Sequence, residues 1–312
     1  MEERNNILIT GISGFVGSHL ASLLNNRKDE NNRVVGIVRD MVPSKWVINA
    51  FHDCVIVQGD VRNKELVKRV VNRYDINQVY HLAASAIVKH AWRDPAEVFD
   101  TNVMGTVNLL EACREVDSVD KILVLNTDKI YGEKMNAVET DNYEVSEPYA
   151  TSKICQGFCV KSWIKTYGMN IVMPSSCNIF GYDPFNNRII PNVIKDCIRG
   201  NNPTIYRNDD SIREYIYVED LVQALHTLMN TKNEYSTYNI STGYVYNQKE
   251  VIMNILENFP KLEAEYKEGD IPAQIQKQTL CSIHWDFKPK YTFDEGLKKT
   301  IEKFKLYEYD WI

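Results

Sequence analysis

Short apolar runs alternate with helical patterns along the first part of the chain. Six runs have the length and composition of strands buried on both faces of a parallel sheet; they span residues 6–10, 33–38, 54–57, 79–84, 121–126 and 171–173. Between them, apolar residues recur at helical spacing, most clearly over residues 18–24, 95–113 and 152–167. Strands that alternate with helices in this way predict an α/β fold built on a doubly wound parallel sheet.

The pattern changes after Pro174, where prolines and paired asparagines indicate loops. The loop positions are Pro184, Pro191, Pro203, Asn186, Asn187, Asn201 and Asn202. We expect a helix over 218–229 and a short strand over 238–241 to return to the main domain, and a closing helix over 293–304. The prediction is a main domain of residues 1–174 plus roughly 213–242, and a smaller C-terminal lobe of residues 175–212 and 243–312.

Composition narrows the class of protein. With 312 residues, 44% of them hydrophobic and 25% charged, the chain can bury a large core. Its net charge of −6 argues against nucleic-acid binding. Neither a signal peptide nor a membrane span is readable, so we expect a cytoplasmic protein without a membrane partner. The seven cysteines are scattered, without a Cys-x-x-Cys pair, which favours reduced thiols and no metal site.

The first predicted strand leads directly into a glycine-rich segment. Glycines at a strand-to-helix turn permit the turn itself, the close approach of a pyrophosphate, and tight packing of helix on sheet. A turn without a ligand is the alternative, but the position near the N-terminus favours a Rossmann-type dinucleotide site. The predicted cofactor contacts in this segment are Gly11, Ser13, Gly14, Phe15, Val16 and Gly17.

The choice between NAD and NADP depends on the residues that follow the second strand. Arg39 would pair with a 2′-phosphate, whereas Asp40 would accept hydrogen bonds from a ribose diol. Both cofactors stay open, with a slight preference for NAD if Asp40 points inward. After the third strand, Asp60 and Val61 are expected beside the adenine, although Asp60 could instead cap the helix that begins near Lys64.

The fourth and fifth predicted strands also end in residues that suit a ligand site, because ligands of open parallel sheets bind beyond the carboxyl ends of the strands. The segment Leu82-Ala83-Ala84 would let a cofactor lie across the sheet edge, and Thr127-Asp128-Lys129 supplies a hydroxyl, a carboxylate and an ammonium. Asp128 and Lys129 could alternatively form a capped turn with a surface salt bridge. Asn102, inside the predicted helix over 95–113, is either solvated or, if buried, committed to partners.

Tyr149 and Lys153 are four residues apart and therefore lie on one helical face. An ammonium beside a phenol favours the phenolate, which can take a proton from a substrate hydroxyl while a nicotinamide takes the hydride. By itself the pair is a weak signal, and an exposed helical pair is the alternative. Together with a dinucleotide site, it predicts the catalytic centre.

These pieces together resemble the extended short-chain dehydrogenase/reductase family, the nucleotide-sugar epimerases and dehydratases, over nearly the whole chain. The motifs concerned are residues 10–17, 60–61, 81–84, 102–106, 127, 149–153, 178–181 and 213–218. The resemblance implies that Tyr149 is the catalytic base, that Lys153 lowers its pKa and binds the ribose, and that Thr127 holds the 4-hydroxyl of the sugar. It also implies a homodimer and a nucleoside-diphosphate hexose as substrate, contacted by Ser85, Asn178, Arg188, Ile190, Arg207 and Arg213.

Within this family, the residues after Thr127 carry the finer inference. A 4-epimerase needs only to oxidise C4, whereas a 4,6-dehydratase must also remove the C5 proton and protonate the departing 6-hydroxyl. Asp128 and Lys129 could do both, and Thr127-Asp128-Lys129 resembles the CDP-glucose 4,6-dehydratases, as do residues 187–191 and 207–213. Ser175 departs from many relatives, which have Arg there. The sequence therefore favours a 4,6-dehydratase, with a 4-epimerase and a non-catalytic nucleotide-sugar sensor as alternatives.

Overall fold

The computed structural model describes residues 4–27, 30–40, 44–183, 188–207, 209, 211–268 and 277–311. Some residues to which the sequence assigned a role lie outside this part: the loop positions Pro184, Asn186 and Asn187, and Asn208 and Asp210 of the dehydratase-like stretches.

Fourteen strands and eleven α-helices occupy the described ranges, together with one π-helical and two 3-10 turns. The strands are β1 (Asn5–Thr10), β2 (Asn32–Val38), β3 (Val55–Gln58), β4 (Gln78–His81), β5 (Lys121–Val124), β6 (Asn126–Thr127), β7 (Ile171–Ser176), β8 (Asn178–Phe180), β9 (Thr204–Tyr206), β10 (Ile212–Tyr217), β11 (Thr237–Ile240), β12 (Val245–Asn247), β13 (Glu265–Lys267) and β14 (Lys277–Gln278). The helices are α1 (Phe15–Asn26), α2 (Lys45–Phe51), α3 (Lys64–Arg73), α4 (Val88–Arg93), α5 (Pro95–Phe99), α6 (Gly105–Arg114), α7 (Pro148–Tyr167), α8 (Ile189–Ile198), α9 (Val218–Asn230), α10 (Gln248–Leu256) and α11 (Phe293–Leu306).

The chain forms two compact units. Unit 1 comprises Met1–Gly132, Asp141–Ser175 and Val222–Tyr238, and unit 2 comprises Glu133–Thr140, Ser176–Leu221 and Asn239–Ile312. The segment that returns to unit 1 is shorter than the predicted 213–242, because residues 212–217 form β10, which pairs with β8 and β12 of unit 2.

The main sheet has the strand order β11-β7-β5-β4-β1-β2-β3, with β6 paired to β7. The pairs β1–β2, β2–β3, β1–β4, β4–β5 and β5–β7 are parallel. The chain thus winds outward from β1 in one direction and from β4 in the other, which confirms the predicted doubly wound α/β fold. The crevice at such a reversal point, between β1 and β4 here, is where open sheets of this kind bind ligands.

Apolar residues from both layers build the core of unit 1. Leu8, Val79 and Ile122 of the sheet pack in one cluster with Val67 of α3 and Leu109 of α6, and all five side chains are almost fully buried. The strands are apolar throughout because helices cover the sheet, which explains why they appear in the sequence as continuous apolar runs.

The structure corrects three element boundaries. The predicted helix over 95–113 is three segments, α5, a π-helical turn over Asp100–Met104, and α6. Helix α7, expected from the sequence to begin near Ser152, begins at Pro148, because Glu147 caps it. Strand β7 continues past Pro174 to Ser176. The missing N–H of Pro174 leaves the β5–β7 register intact, because the residues of β7 that pair with β5, Ile171 and Val172, precede it.

Unit 2 contains a small sheet of order β12-β10-β14, with β8 also paired to β10, and a separate β9–β13 pair. Glu214 of β10 is fully buried. Its carboxylate accepts hydrogen bonds from the backbone of Thr242, Gly243 and Leu280 at 2.6, 3.0 and 2.7 Å, so it ties two loops to the strand.

No helix in the described ranges is both long and apolar enough to span a membrane. Among the same residues, no three His, Cys, Asp or Glu side chains group as a metal site would require, and no disulfide joins the cysteines.

Candidate active site

The glycine turn lies at the reversal point of the sheet. Gly11 has φ +72°, and a Cβ there would lie 2.8 Å from Cα of Ala83, the second residue after β4. A Cβ on Gly17 would lie 2.2 Å from the carbonyl oxygen of Gly11. Glycine is therefore required at both positions, at Gly11 for the left-handed turn and at Gly17 for the approach of α1 to that turn.

The N-terminus of α1 is suited to an anion. Its N-cap residue is Gly14, which has no side chain to accept hydrogen bonds from the first backbone N–H groups of the helix. The first turn, from Phe15 to Ser18, contains no charged residue. Exposed N–H groups and the helix dipole favour a phosphate at such an end. Ser13 is half-buried and Phe15 stacks edge-on against His19 at 5.5 Å. These residues fit the pyrophosphate of a dinucleotide; the individual contacts stay predictions.

A buried chain of hydrogen bonds connects this turn to α7. His81 Nδ1 lies 2.7 Å from Thr10 Oγ1, and His81 Nε2 lies 2.9 Å from Thr106 Oγ1. Since the Thr106 hydroxyl donates its proton to the carbonyl of Asn102 at 2.7 Å, His81 must donate from Nε2 and accept at Nδ1. Burial, and secondarily the charge of Lys153, lower the pKa of His81 to about 3, so the imidazole is neutral.

Asn102 continues the same network and is completely buried in the π-helical turn. Its Oδ1 accepts from the backbone N–H of Ser85 at 2.8 Å, and its Nδ2 donates to the carbonyl of Ser85 at 3.2 Å and to Ser152 Oγ at 2.9 Å. Ser152 in turn donates to the carbonyl of Tyr149 at 2.7 Å. Asn102 is therefore committed to partners rather than solvated, and it holds the segment after β4, which runs from Leu82 through Ala84 to Ser85.

Of the charged residues that follow β2 and β3, Asp60 and Arg62 pair with each other. Arg39 and Asp40 are both exposed. Asp60 accepts from the backbone and side chain of Arg62 at 2.9 and 2.8 Å. The alternative that Asp60 caps the next helix is wrong, because Asn63 caps α3. Val61 is buried, and a Cβ on Gly105 would lie 2.8 Å from its Cγ2.

Thr127, Asp128 and Lys129 stand where the fifth predicted strand ends. Thr127 caps the short 3-10 turn Asp128–Tyr131, and its hydroxyl donates to Asp128 Oδ1 at 2.9 Å. Asp128 is only 2% exposed and Lys129 is half-buried. The capped turn is confirmed, but the alternative of a surface salt bridge is wrong for a carboxylate that is buried.

Tyr149 is 8% exposed and its ring packs with Ala91 and Val98. Its position is held by Glu147, whose two carboxylate oxygens accept from the backbone N–H groups of Tyr149 and Ala150 at 2.7 and 2.8 Å. A carboxylate also complements the helix dipole at this end. Tyr149 therefore stands in the first turn of a well-capped helix.

Lys153 is 4% exposed, and its Nζ donates to the carbonyl of Leu125 at 2.7 Å, two residues before Thr127. Burial lowers the pKa of its ammonium to about 7. The alternative of an exposed Tyr-Lys pair is wrong, since both side chains are buried. Helix α7 also packs against β6 and the 3-10 turn, so the five predicted catalytic residues lie in one region of unit 1.

The predicted substrate contacts other than Ser85 lie in unit 2. Asn178 Nδ2 donates to the carbonyl of Glu214 at 3.2 Å, next to Arg213 on the neighbouring strand. Arg213 Nε is buried and has no acceptor among the residues that the structure describes. A buried guanidinium nitrogen in this state is suited to an anionic ligand.

The remaining three predicted substrate contacts differ in their surroundings. Arg188 is exposed at the start of α8, and Ile190 within that helix is buried. Arg207 is exposed, lies 5.0 Å from the ring centroid of Tyr266 and is 3.8 Å from Glu268. No binding role follows from these contacts alone, and the roles stay predictions.

Sequence reasoning missed three residues of this region. Glu147 could have been found, because a carboxylate just before a proline is a recognisable helix start. His81 was visible only as part of a motif, since its partners are remote in sequence. Glu97, which accepts from Thr101 Oγ1 and lies within hydrogen-bond distance of His90 Nε2, both at 3.0 Å, had no signal beyond a charged helical position.

The doubly wound sheet and its glycine turn are those of the Rossmann class of α/β proteins. The family model described as the NAD dependent epimerase/dehydratase family matches residues 7–241. The chain belongs to this family, which confirms the resemblance seen in the motifs.

Individual relatives include both dehydratases and epimerases. A dTDP-glucose 4,6-dehydratase from Shigella flexneri is 27% identical over 98% of this chain and 94% of its own length. A UDP-glucose 4-epimerase from Thermotoga maritima, solved with UDP-glucose, superposes with a TM-score of 0.88 at 25% identity, covering 96% of this chain and 99% of that one. A UDP-glucose 4-epimerase from Thermus thermophilus, solved with NAD, has a TM-score of 0.85 at 27% identity, covering 96% and 99%.

Proposed function

We propose that this chain is an NAD-dependent nucleotide-sugar 4,6-dehydratase. The observation that carries the proposal is the burial of Asp128 next to the Thr127 hydroxyl, in the region where α7 presents Tyr149 and Lys153. A 4-epimerase has no use for a buried acid at this place, whereas an elimination needs one. The similarity to a dTDP-glucose 4,6-dehydratase supports the same reaction.

In the proposed reaction, NAD held at the glycine turn between Gly11 and Gly17 would supply the acceptor for the C4 hydride and the donor of the hydride to C6. Thr127 orients the 4-hydroxyl, and Tyr149 takes its proton. Lys153, anchored to the Leu125 carbonyl, stabilises the phenolate when it is charged.

Asp128 and Lys129 carry out the elimination. Lys129 removes the C5 proton, which the 4-ketone has made acidic, and Asp128 donates a proton to the 6-hydroxyl, which leaves as water. Lys129, whose ammonium protons exchange with solvent, then delivers a proton to C5. The proton that Tyr149 took from O4 balances the one that Asp128 gave up, so the net change is the loss of one water.

The nucleotide part of the substrate is proposed to bind to unit 2. The buried Arg213 Nε supports a diphosphate contact, because a guanidinium donates in a planar fork that matches phosphate oxygens. Asn178, on the adjacent strand, would add an amide donor. The dehydratase-like stretches make CDP-hexoses the first substrates to test, followed by the dTDP- and UDP-hexoses named for the relatives.

The test is mass spectrometry of the purified protein incubated with CDP-, dTDP-, UDP- and GDP-hexoses in D2O. A 4,6-dehydratase yields a product that has lost one water and gained one solvent deuteron at C5. Asp128→Asn should slow turnover about 100-fold, in line with loss of a general acid, and should accumulate reduced nicotinamide, because C4 oxidation precedes the elimination. Asp120→Asn, at an exposed carboxyl, is the matched control. Unaltered turnover in Asp128→Asn would refute the assignment.

A nucleotide-sugar 4-epimerase is the second candidate, favoured by the TM-score of 0.88 with the Thermotoga maritima epimerase. It requires only the oxidation and return of hydride at C4. A product of unchanged mass with an inverted C4 signal by NMR would establish it and would leave Asp128 and Lys129 as residues of a capped turn.

We also propose a homodimer in the cytoplasm. Phe158 on α7 is 58% exposed and Met104, just before α6, is 47% exposed, which supports an apolar contact between copies. Light scattering of the eluting protein should give about twice the monomer mass, and Phe158→Asp should shift it to the monomer.

A further inference from the structure

A compact group of charges lies around Arg39, the residue directly after β2. Its guanidinium NH1 is 3.6 Å from Glu97 Oε1. The neighbouring Arg62 is 2.8 Å from Asp60 and 3.6 Å from Asp100. With Asp40 next along the chain, this group has four carboxylates and two guanidinium groups, so its net charge is negative.

Glu97 is the best-held carboxylate of this group. Its Oε1 accepts from Thr101 Oγ1 at 3.0 Å, its Oε2 lies 3.0 Å from His90 Nε2, and Ser85 also hydrogen-bonds to it. Burial raises its pKa, but hydrogen bonds from His90, Thr101 and Ser85 outweigh burial and hold the pKa below its usual value. Glu97 is therefore a fixed negative charge that other elements of unit 1 keep in place.

This arrangement matters because Arg is the side chain that would bind the 2′-phosphate of NADP after β2. A 2′-phosphate would have to displace Glu97 from Arg39 and approach Asp40 and Asp60 as well. NAD carries a neutral ribose diol at that position and meets no such repulsion.

Building on the proposed binding of a nicotinamide dinucleotide, we propose that Glu97 is a specificity-determining residue that makes the site reject NADP, by occupying Arg39. Glu97 acts through Arg39 and touches neither the reacting atoms nor the nicotinamide. The preference for NAD is therefore set by a residue on α5, not only by the two residues that follow β2.

The experiment measures binding, not turnover. Co-purified nucleotide is first released and identified by mass spectrometry, and the stripped protein is then titrated calorimetrically with NAD and with NADP. Wild type should bind NAD at least tenfold more tightly than NADP. Glu97→Gln keeps the side-chain shape and should tighten NADP about tenfold, while its affinity for NAD changes less than about threefold, as expected for removal of one nearby charge.

Two further variants separate this mechanism from a general change in charge. Glu65→Gln removes an exposed carboxylate on α3 and should leave both affinities unchanged. Arg39→Gln in the Glu97→Gln background should abolish the gain in NADP affinity. A gain that survives loss of Arg39 would overturn the proposal.

The remaining outcomes are distinguishable. Wild type that binds NADP as tightly as NAD, or that yields NADP as its co-purified nucleotide, overturns the role of Glu97 but leaves the dehydratase intact. Binding of neither dinucleotide overturns the cofactor assignment and this inference with it. If Glu97→Gln does not fold, as judged by circular dichroism, Glu97→Ala takes its place in the titrations, and a variant that folds without a gain in NADP affinity overturns the proposal.

Discussion

Thr10 Oγ1 and His81 Nδ1 lie 2.7 Å apart and join the carboxyl ends of β1 and β4, the two strands between which the chain reverses direction. The same Thr10 hydroxyl accepts from the backbone N–H of Ala83 at 3.2 Å. A neutral imidazole with one donor and one acceptor is what this position requires, because its two partners are hydroxyls whose other bonds are already assigned.

His81 should make the protein sensitive to acid. Its pKa is about 3 in the fold against an ordinary value of 6.5, so the unfolded chain binds a proton that the folded one does not as the pH falls through this range. Stability should therefore be lost below pH 6.5, by about 2 kcal/mol from this residue by pH 5. His81→Gln keeps a hydrogen-bond donor and an acceptor, and it should reduce the slope of the free energy of unfolding against pH by about one proton.

Urea unfolding followed by circular dichroism at several pH values checks this prediction. His52→Gln, at an exposed histidine, is the control and should leave the slope unchanged. An identical slope in His81→Gln and wild type would contradict the prediction.

Two glycines within helices should respond to alanine with opposite sign. A Cβ on Gly17 would lie 2.2 Å from the backbone oxygen of Gly11, so Gly17→Ala should cost about 2 kcal/mol or more and weaken dinucleotide binding. A Cβ on Gly157 would find only side-chain atoms at 3.4 Å and beyond, so Gly157→Ala should stabilise by about 0.5–1 kcal/mol. Thermal melts of both variants measure these changes in stability. Destabilisation of equal size would show that the glycine turn requires glycine at position 17 no more than the middle of α7 does at position 157.

Lys121 should contribute to stability through the end of α9. Its Nζ donates to the carbonyls of Leu228 and Thr231 at 2.7 and 2.6 Å, which satisfies helix-end acceptors with a cation. Lys121→Met should lower the free energy of unfolding by about 2 kcal/mol. Lys232→Met, at an exposed lysine just after the end of α9, is the control. Equal stabilities of the two variants would mean that the buried ammonium only offsets its own desolvation.

Lys153 should make the cofactor-free protein more stable as the pH rises above 7. Burial lowers the pKa of Lys153 to about 7 from 10.5. Between these values the unfolded chain binds a proton at this lysine and the folded chain does not, so a rise in pH destabilises the unfolded state relative to the folded one. The gain from this residue should be about 2–3 kcal/mol between pH 7 and pH 9.

Lys153→Met should remove this gain, while Lys165→Met, at an exposed lysine of the same helix, should keep it. Denaturant unfolding of the stripped protein at each pH measures the difference. A wild-type stability that is flat over this range would show that water or another group solvates the ammonium.

Much of the fold could be predicted from the sequence because the relevant signals are local. A strand that is covered on both faces is a continuous apolar run, as in residues 122–124 of β5, and a left-handed turn before a helix demands glycine, as at Gly11. The alternation of strands and helices with short connections predicts the doubly wound class, whereas the strand order itself comes from the structure.

The errors arose where a local pattern has more than one tertiary solution. The π-helical turn at Asp100–Met104 has the same apolar spacing as a continuous α-helix, so the sequence pattern does not reveal it. In the structure, the turn places the Asn102 amide where it hydrogen-bonds to Ser85 and Ser152. Similarly, Asp60 was a cap candidate only while the start of α3 was uncertain; the helix begins at Lys64, so Asn63 caps it and Asp60 pairs with Arg62.

The sequence by itself determined the fold class, the glycine turn and the spacing that nominates Thr127, Tyr149 and Lys153, because each depends on residues close together in the chain. Only the tertiary structure decided that Asp128 is buried, that Lys153 has a pKa near 7, and that Glu97 occupies Arg39. Burial and electrostatic environment are set by groups from distant segments, and these become neighbours only when the sheet assembles.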